Sequence, residues 1–189
     1  MKSIINLLFT ARHLKDTPRT GYNYLGVGKE SVAEHTFTTT FIAHVMSCLE
    51  PEADALRLLH LCIVHDLPES RIGDLNAVQK KHVTADEDGA AQAIAEGTPL
   101  SRSLPEMIRE FNEGRSMEAM LARDADQISF LLELKNLADL GFSPPEKWIP
   151  YLVDRLQTDT GRKLAAGILQ IERDDWWLKN YIDTDKGTE

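Results

Sequence analysis

A helical run that should be buried, but that ends in ionisable side chains, is the feature that most constrains this chain. Leu58 to Val64 is largely apolar, His65 and Asp66 follow it directly, and Glu69 comes three residues later. An imidazole and a carboxylate are costly to bury at the end of an apolar helix unless something compensates them. A divalent metal ion compensates both at once, because it binds nitrogen and oxygen donors together. The stretch therefore predicts a metal site.

Helical periodicity extends over the whole chain and predicts an all-α, single-domain fold. Apolar residues repeat at intervals of three and four, and no useful length of the chain alternates as a strand does. A length of 189 residues fits one domain. Helices are expected over about residues 3–15, 31–49, 52–66, 85–96, 101–113, 116–140, 144–156 and 160–181. The helix over 116–140 is apolar on most sides, which places it at the centre of the fold.

The second helix is expected to begin with a capping box and to carry a histidine on its inward face. Ser31 should cap the helix, and the Glu34 side chain should reach back to it. Helical spacing then turns His35 inward. The residues that share its face are Thr38, Thr39, Ile42, Val45, Met46 and Leu49.

The third helix carries two ligand candidates at the end of its inward stripe. Asp66 continues the stripe, and His65 falls beside two of its members; the stripe consists of Ala55, Leu58, Leu59 and Cys62. Pro68 disfavours helical geometry at Leu67, so the helix should break just after Asp66. Glu69–Asn76 should then form a turn that contains a glycine.

Two inward histidines beside an aspartate favour metal ligation over ordinary core histidines, because unpaired carboxylates are rare in protein cores. The other four histidines lack such neighbours. We expect His44 and His60 to be structural, and His13 and His82 to be solvated.

A fourth ligand should come from the long central helix, which offers Asp124 and Asp126. Asp124 shares a face with Met117, Met120, Leu121, Ile128 and Leu131, and Asp126 shares one with Ala119, Ala122, Phe130 and Leu137. The richer apolar face slightly favours Asp124, but the pattern does not decide between them. Either choice gives a set of two histidines and two aspartates, which suits Mn²⁺, Co²⁺, Fe²⁺, Ni²⁺ or Zn²⁺.

Three further polar residues have both an ordinary and a functional interpretation. Glu69 and Asp74 are either polar loop residues or carboxylates that move protons beside a metal-bound water. Their closeness to His65 and Asp66 favours the functional interpretation, more strongly for Glu69. Arg19 is either a solvated loop residue or a fork-shaped donor to a phosphate.

Together these residues resemble those of the HD-domain phosphohydrolase superfamily, and more narrowly the 5′-deoxynucleotidases and their archaeal and eukaryotic HD-domain relatives. The matching segments occur in order over about residues 5–140: Pro18-Arg19-Thr20-Gly21, Val32-Ala33-Glu34-His35, His65-Asp66-Leu67-Pro68-Glu69, Gly73-Asp74-Leu75 and Asp124-Ala125-Asp126. A His-Asp pair alone is common, whereas the ordered set is specific. The resemblance implies one HD domain over residues 1–189, with the family-like core over about 5–140 and additional helices over about 144–182.

The resemblance also implies roles for individual residues. It implies His35, His65, Asp66 and Asp126 as metal ligands, and so selects the second aspartate of Asp-Ala-Asp. It implies that Glu69 assists proton transfer, that Asp74 lies against the water or the substrate, and that Arg19 meets the substrate phosphate. The chain departs from the pattern at Thr20, where deoxynucleotidases of this type carry a bulky aromatic residue near the sugar.

Composition limits the partners. The formal net charge of −9 argues against broad attraction to nucleic acid polymers or anionic membranes. No run approaches the roughly 18 apolar residues of a membrane span. We expect Cys48 and Cys62, both in apolar helical runs, to be buried free thiols in a reducing cytosol. The protein is therefore expected to be cytoplasmic.

The sequence thus predicts a metal-dependent phosphomonoesterase that acts on (deoxy)nucleoside 5′-monophosphates through a metal-activated water. One alternative is another HD phosphohydrolase that acts on nucleoside triphosphates, cyclic nucleotides or alarmones. A second is a nucleotide-sensing module that keeps the metal site without turnover. A homodimer or higher homo-oligomer is also expected, and Trp176 and Trp177 are candidates either for its interface or for the core.

Overall fold

The computed structural model describes residues 1–182, apart from the side chains of Asn180 and Ile182. Helices account for nearly all of its regular structure, which confirms the predicted all-α fold. The α-helices are α1 Lys2–His13, α2 Tyr22–Leu25, α3 Val32–Leu49, α4 Ala55–Val64, α5 Glu69–Ile72, α6 Glu87–Ala95, α7 Ser103–Glu113, α8 Met117–Asp139, α9 Ile149–Val153, α10 Asp159–Gln170 and α11 Asp175–Ile182. Two 3₁₀ helices span Gln79–Lys81 and Pro144–Lys147. In residues 1–182, extended pairing is limited to one isolated bridge between Pro18 and Ser31.

Helices α3, α4 and α8 form the centre of the fold, since each packs against the other two. Their apolar side chains interlock there, and several are fully removed from solvent: Met46, Leu58, Leu61, Leu131 and Leu134. Helix α8 also packs against α7, α9 and α10. It is therefore central, as its sequence predicts, because an apolar surface on most sides must be covered on most sides.

A second apolar cluster closes the end of the fold that faces the α4–α5 turn. It contains residues from α3, α6, α7 and the chain that precedes α2, namely Leu14, Val32, Leu67, Ala91, Ile94, Ala95, Leu104 and Ile108. Leu67 lies in the turn itself and is buried. Burial of Leu67 anchors the turn, which fixes the backbone of the neighbouring His65 and Asp66.

The buried face of α3 differs from the predicted one. His35, Thr39, Ile42 and Met46 are buried as expected. However, Val45 and Leu49 are exposed, while Val32, Thr36 and Ala43 are buried. The reason is that α4 and α8 both pack on α3, so the covered face is set by two neighbours rather than by the helix's own apolar stripe. In α4, similarly, Ala55 is exposed and Leu61 is fully buried.

The C-terminal prediction of two helices is wrong in detail. The segment 144–156 forms a 3₁₀ helix followed by α9, and the segment 160–181 is divided into α10 and α11. The break falls where the Arg173 backbone N–H donates to Asp139 Oδ2 at 2.9 Å. Because Asp139 belongs to α8, this break depends on a tertiary contact. Trp176 is exposed and Trp177 lies near the surface, with its indole N–H donating to Asp174 at 3.3 Å.

The two cysteines have different environments, so the prediction of two buried thiols is wrong for Cys48. Cys62 is fully buried in the core, whereas Cys48 is exposed on the outer side of α3. The apolar run around Cys48 includes side chains that face solvent, so the run alone did not identify the buried side. No helix within residues 1–182 has the length and apolar character needed to cross a membrane.

Candidate metal centre

His35 lies in the first turns of α3, where the predicted capping box is present. The Ser31 N–H donates to Glu34 Oε2 at 2.7 Å, and the Glu34 N–H donates to Ser31 Oγ at 3.2 Å. This fixed start of the helix turns His35 into the core, where it is fully buried. His35 Nε2 lies 2.8 Å from Asp126 Oδ1, and its Nδ1 lies 3.2 Å from Ser129 Oγ.

His65 lies at the end of α4, where its orientation is fixed by the helix backbone. Its Nδ1 is 2.7 Å from the Cys62 carbonyl oxygen. Because a carbonyl only accepts hydrogen bonds, Nδ1 carries the proton and Nε2 is the nitrogen left for ligation. The Phe111 ring packs against this imidazole with the ring centroids 4.7 Å apart.

Asp66 completes the group. Its Oδ2 lies 3.1 Å from His65 Nε2 and 3.8 Å from His35 Nε2. Despite the short distance, His65 Nε2 and Asp66 Oδ2 are not aligned for a hydrogen bond. Both atoms are buried without a hydrogen-bond partner among the described residues. Buried polar atoms without partners are rare, so these two need an additional ligand.

The donor atoms of three of these residues form a compact group. Ligand atoms of His35, His65 and Asp126 all lie within 4.8 Å of one another. Two nitrogens and carboxylate oxygens converging on one point, with unpartnered atoms among them, fit a divalent transition metal. His35, His65, Asp66 and Asp126 are the residues that would hold it.

The structure distinguishes the two candidate aspartates of α8 by their partners. Asp124 is fully buried and accepts hydrogen bonds from the Gln157 N–H at 2.7 Å, the Thr158 N–H at 2.8 Å and the Thr158 hydroxyl at 2.6 Å. Its carboxylate therefore fastens the start of α10 to α8. Asp126 instead contacts His35, and Gln127 Nε2 donates to its Oδ2 at 2.9 Å. Periodicity slightly favours Asp124 as the ligand, but the structure brings Asp126 to His35 and directs Asp124 to the start of α10.

The pKa values of the group reflect strong mutual charges. Burial lowers the pKa of His65, but the adjacent Asp66 and Asp126 charges outweigh it and raise the pKa to about 9. Burial raises the pKa of Asp66, but the His65 charge outweighs it and lowers the pKa to about 2. Burial and the Arg19 charge lower the pKa of His35. Two ionised carboxylates beside His65 make the site a strong attractor for a cation, and a bound metal would displace the His65 proton.

Arg19 extends the site on the side of Asp66. The Arg19 N–H donates to the Glu30 carbonyl at 2.9 Å, which holds the loop beside the start of α3. Its Nη1 lies 3.6 Å from Asp66 Oδ2 and 3.9 Å from Asp74 Oδ1. Burial lowers its pKa, but the surrounding carboxylates outweigh this and raise it, so the guanidinium stays charged.

The charges of Glu69 and Asp74 both act on Arg19, but the two carboxyl groups have different environments. Glu69 Oε2 is buried without a hydrogen-bond partner among the described residues. Burial, together with the charges of Asp66 and Asp74, raises the pKa of Glu69 to about 9. In the metal-free protein this favours the protonated form of Glu69 at neutral pH.

Asp74 is held in place by Thr20. The Thr20 N–H donates to Asp74 Oδ2 at 2.6 Å, and the Thr20 hydroxyl donates to the Asp74 backbone carbonyl at 2.7 Å. Gly73, with φ of 77°, allows the chain to turn from α5 towards this contact.

The structure thus brings together Arg19, His35, His65, Asp66, Glu69, Asp74 and Asp126, all of which were singled out from the sequence. Sequence reasoning missed Phe111, Gln127 and Ser129, which contact the site directly. Gln127 follows Asp126 directly and Ser129 lies one helical turn after it, so their sequence positions gave a weak indication that they lie near the site. Nothing in the sequence indicated Phe111. The remaining histidines, His13, His44, His60 and His82, are all exposed.

Comparison with known proteins agrees with this arrangement. The model of the HD domain matches residues 11–165. The chain is 31% identical over 142 residues to the 5′-deoxynucleotidase hdd1 of Schizosaccharomyces pombe, covering 70% of this chain and 71% of that protein. It is 28% identical over 185 residues to the mouse 5′-deoxynucleotidase HDDC2, covering 86% and 91%.

Solved structures share the fold. A Pyrococcus horikoshii protein with 27% sequence identity superposes with a TM-score of 0.73, over 88% of this chain and 98% of that one. A Magnetospirillum magnetotacticum protein described as a predicted metal-dependent phosphohydrolase, at 17% identity, superposes with a TM-score of 0.70 over 89% and 90%. The family match spans most of the chain and includes every residue of the candidate centre, so this chain belongs to the HD-domain family.

Proposed function

We propose that this protein is a metal-dependent phosphohydrolase that releases phosphate from nucleoside 5′-monophosphates. The observation that carries the proposal is the convergence of the buried His35 and His65 with the half-buried Asp66 and Asp126, with Arg19 3.6 Å from Asp66. The relatives named 5′-deoxynucleotidases support the substrate class.

The chemistry divides between the metal ligands and the surrounding groups. A bound divalent ion would polarise the phosphate and lower the pKa of a water molecule. Arg19 is placed to donate hydrogen bonds to phosphoryl oxygens and to offset their charge. In the reaction the water loses one proton to solvent as its oxygen bonds to phosphorus, the bond from phosphorus to the 5′-oxygen breaks, and a proton moves to that 5′-oxygen. The group that gives this proton is reprotonated from solvent.

Glu69 is the group best suited to deliver this proton. In the metal-free protein, burial and the charges of Asp66 and Asp74 raise its pKa to about 9, and its Oε2 has no hydrogen-bond partner among the described residues. Asp74 is fixed by Thr20 and faces Arg19, so it orients the water or the substrate rather than moving freely. The resemblance to the family implies the same roles.

Activity assays test the proposal directly. Protein that has been stripped of metal and reloaded with Co²⁺ or Mn²⁺ should release phosphate from a panel of nucleoside 5′-monophosphates. Glu69→Gln should lower kcat by about 10²- to 10⁴-fold, because general acid catalysis contributes that much. Glu106→Gln, at an exposed site on α7, is the matched control and should leave kcat unchanged. Absence of phosphate release with every nucleotide and both metals would refute the enzyme proposal.

The native metal and the sugar preference follow from separate measurements. Mixed nitrogen and oxygen donors suit Mn²⁺, Co²⁺, Fe²⁺, Ni²⁺ or Zn²⁺, and metal analysis of the purified protein selects among them. At position 20 the chain has a threonine, which has no aromatic ring to place against the sugar and instead donates hydrogen bonds to Asp74. We propose deoxyribose as the preferred sugar because of the relatives' activity, and kcat/KM for dAMP against AMP tests it.

We also propose that the protein acts in the cytoplasm as a homo-oligomer. The exposed Trp176 indole in α11 supports an interface there, since large aromatic side chains are enriched at protein–protein contacts. Light scattering of the purified protein gives the oligomer size, and Trp176→Ala should reduce it.

A further inference from the structure

A cavity lies beside the metal centre, on the side of Asp126. Its volume is about 390 Å³, which falls in the range of small-molecule sites. Its walls are formed by Phe111, Asn112, Arg123, Asp126, Gln127, Arg155 and Gln157. Arg19, Glu69 and Asp74 do not line it, so it is distinct from the part of the site proposed to hold the phosphate.

The cavity joins the metal centre through two of its walls. Asp126 is at once a wall of the cavity and a neighbour of His35, at 2.8 Å. Phe111 is a wall of the cavity and packs on His65. A substrate with its phosphate at the centre can therefore extend its remaining part into the cavity.

The walls combine an aromatic ring, three carboxamides, two guanidinium groups and the Asp126 carboxylate. Arg123 is held by a hydrogen bond from its Nη1 to the Asn112 carbonyl oxygen at 3.3 Å. A side chain at Gly114 would collide with Arg123, so this glycine leaves room for the guanidinium. Within residues 1–182, neither Arg123 nor Arg155 forms an ion pair with a carboxylate, although the chain carries a net charge of −9. Both cations are therefore available to a ligand.

The position of Arg155 and Gln157 is determined by the buried Asp124. The Gln157 N–H and the Thr158 N–H both donate to its carboxylate, which fixes the segment between α9 and α10 against α8. Gln127 adds an unsatisfied acceptor, because its Oε1 is buried without a hydrogen-bond partner among the described residues. An unsatisfied buried carbonyl in the wall of a cavity indicates a missing donor.

We propose that this cavity binds the nucleobase of the substrate, an inference that rests on the proposed nucleotidase function. Carboxamides donate and accept hydrogen bonds, guanidinium groups donate to ring nitrogens and carbonyl oxygens of bases, and an aromatic ring contributes an apolar wall. A second phosphate would use the two guanidinium groups, but it would leave the aromatic ring and the three carboxamides without a role. Arg155 is accordingly a specificity-determining residue that contacts the base and not the phosphate.

The test separates the base from the phosphate by measuring both in the metal-loaded, full-length protein. The two quantities are kcat/KM for dGMP and the inhibition constant Ki of inorganic phosphate. Arg155→Ala should lower kcat/KM by about tenfold or more, because a hydrogen bond from a charged group is lost. The phosphate Ki should stay within about twofold of the wild type. Gln157→Ala, with an exposed side chain in the same wall, should act in the same direction.

Arg102→Ala is the matched control, since Arg102 directly precedes α7, its side chain is 91% exposed and it does not line the cavity. It should change neither quantity. Equal losses in both quantities for Arg155→Ala would assign the guanidinium to the phosphate and overturn the inference, as would no loss in either.

Failure of the proposed function is recognised separately. If the wild type releases no phosphate from any nucleotide, calorimetric titration with 2′-deoxyguanosine still tests the cavity. Binding that weakens about tenfold in Arg155→Ala, but not in Arg102→Ala, supports the base site. No binding to the wild type overturns it.

Discussion

Two carboxyl groups three residues apart, Asp66 and Glu69, have opposite protonation states in this fold. Asp66 lies against the His65 imidazole, which lowers its pKa to about 2. Glu69 has no such partner, and burial together with the charges of Asp66 and Asp74 raises its pKa to about 9. One turn of chain thus carries carboxyl groups whose pKa values differ widely, which fits the roles of metal ligand and proton donor that we propose for them.

The protonation of Glu69 predicts a pH-dependent stability of the metal-free protein. The unfolded chain releases this proton near pH 4.5, whereas the folded chain keeps it up to about pH 9. Between these values the folded state binds the extra proton, so the Glu69 contribution to stability falls as pH rises. The Glu69→Gln variant cannot lose this proton, so its stability lacks this dependence on pH. The difference in free energy of unfolding, variant minus wild type, should therefore increase by about 1–3 kcal/mol between pH 5 and pH 8.

Urea denaturation at the two pH values measures this difference. The charges that face Glu69 are Asp66, Asp74, Arg19 and Lys80, and all remain in the variant. A difference that is the same at pH 5 and pH 8 would show that the folded state does not hold the proton.

The two aspartates of α8 should separate stability from metal affinity. Asp124→Asn places a donor against the Gln157 or Thr158 N–H, so it should lower the free energy of unfolding by about 1–3 kcal/mol. Asp126→Asn removes a charged ligand and should weaken Co²⁺ binding by at least about tenfold. Metal titration and urea denaturation of both variants give the two quantities. Weakened Co²⁺ binding by a well-folded Asp124→Asn variant would reverse the assignment.

At the scale of helices, the sequence predicted correctly those features that depend only on neighbouring residues. The capping box of Ser31 and Glu34, and the break that Pro68 imposes after α4, depend on neighbouring residues only, and both are present. Those two features fix the orientations of His35, His65 and Asp66. The central position of α8 followed similarly from its apolar surface.

Features that depend on tertiary contacts could not be predicted. The exposure of Val45 and Leu49 follows from how two other helices pack on α3, and the break between α10 and α11 accompanies a contact with Asp139. The choice between Asp124 and Asp126 is of the same kind, because only the fold brings Gln157 and Thr158 to the first and His35 to the second. The resemblance to a family selected Asp126 where periodicity did not.

Helix α10 offers a test of its contact with α8. A Cβ at Gly161 would collide with the Asp124 carboxylate, whereas a Cβ at Gly167 in the same helix meets nothing within 4 Å. Gly161→Ala should therefore lower the free energy of unfolding by about 1–3 kcal/mol through overpacking. Gly167→Ala should raise it by about 0.5–1 kcal/mol, since alanine favours helix. Urea denaturation compares the two. Stabilisation by both substitutions would contradict the close contact between Asp124 and α10.

For the whole molecule, the candidate centre ties together helices that lie far apart in sequence. His35 comes from α3, His65 and Asp66 follow α4, and Asp126 comes from α8. These three helices also form the core. A metal bound at their junction should therefore oppose opening of the entire fold, because the opened chain no longer holds the ligands together.

The two cysteines of the chain make this opening measurable. Cys48 is exposed, whereas Cys62 is buried in α4, and burial together with the Asp126 charge raises the pKa of its thiol. A thiol reagent should modify Cys48 at once and Cys62 only when the core opens. Mn²⁺ is the suitable metal, because it binds thiolates weakly. At 100 times its Kd it should slow the labelling of Cys62 up to about 100-fold. The labelling of Cys48 should not change and is the internal control. Mass spectrometry follows both sites, and a Cys62 rate that is insensitive to Mn²⁺ would show that metal binding does not hold α3, α4 and α8 together.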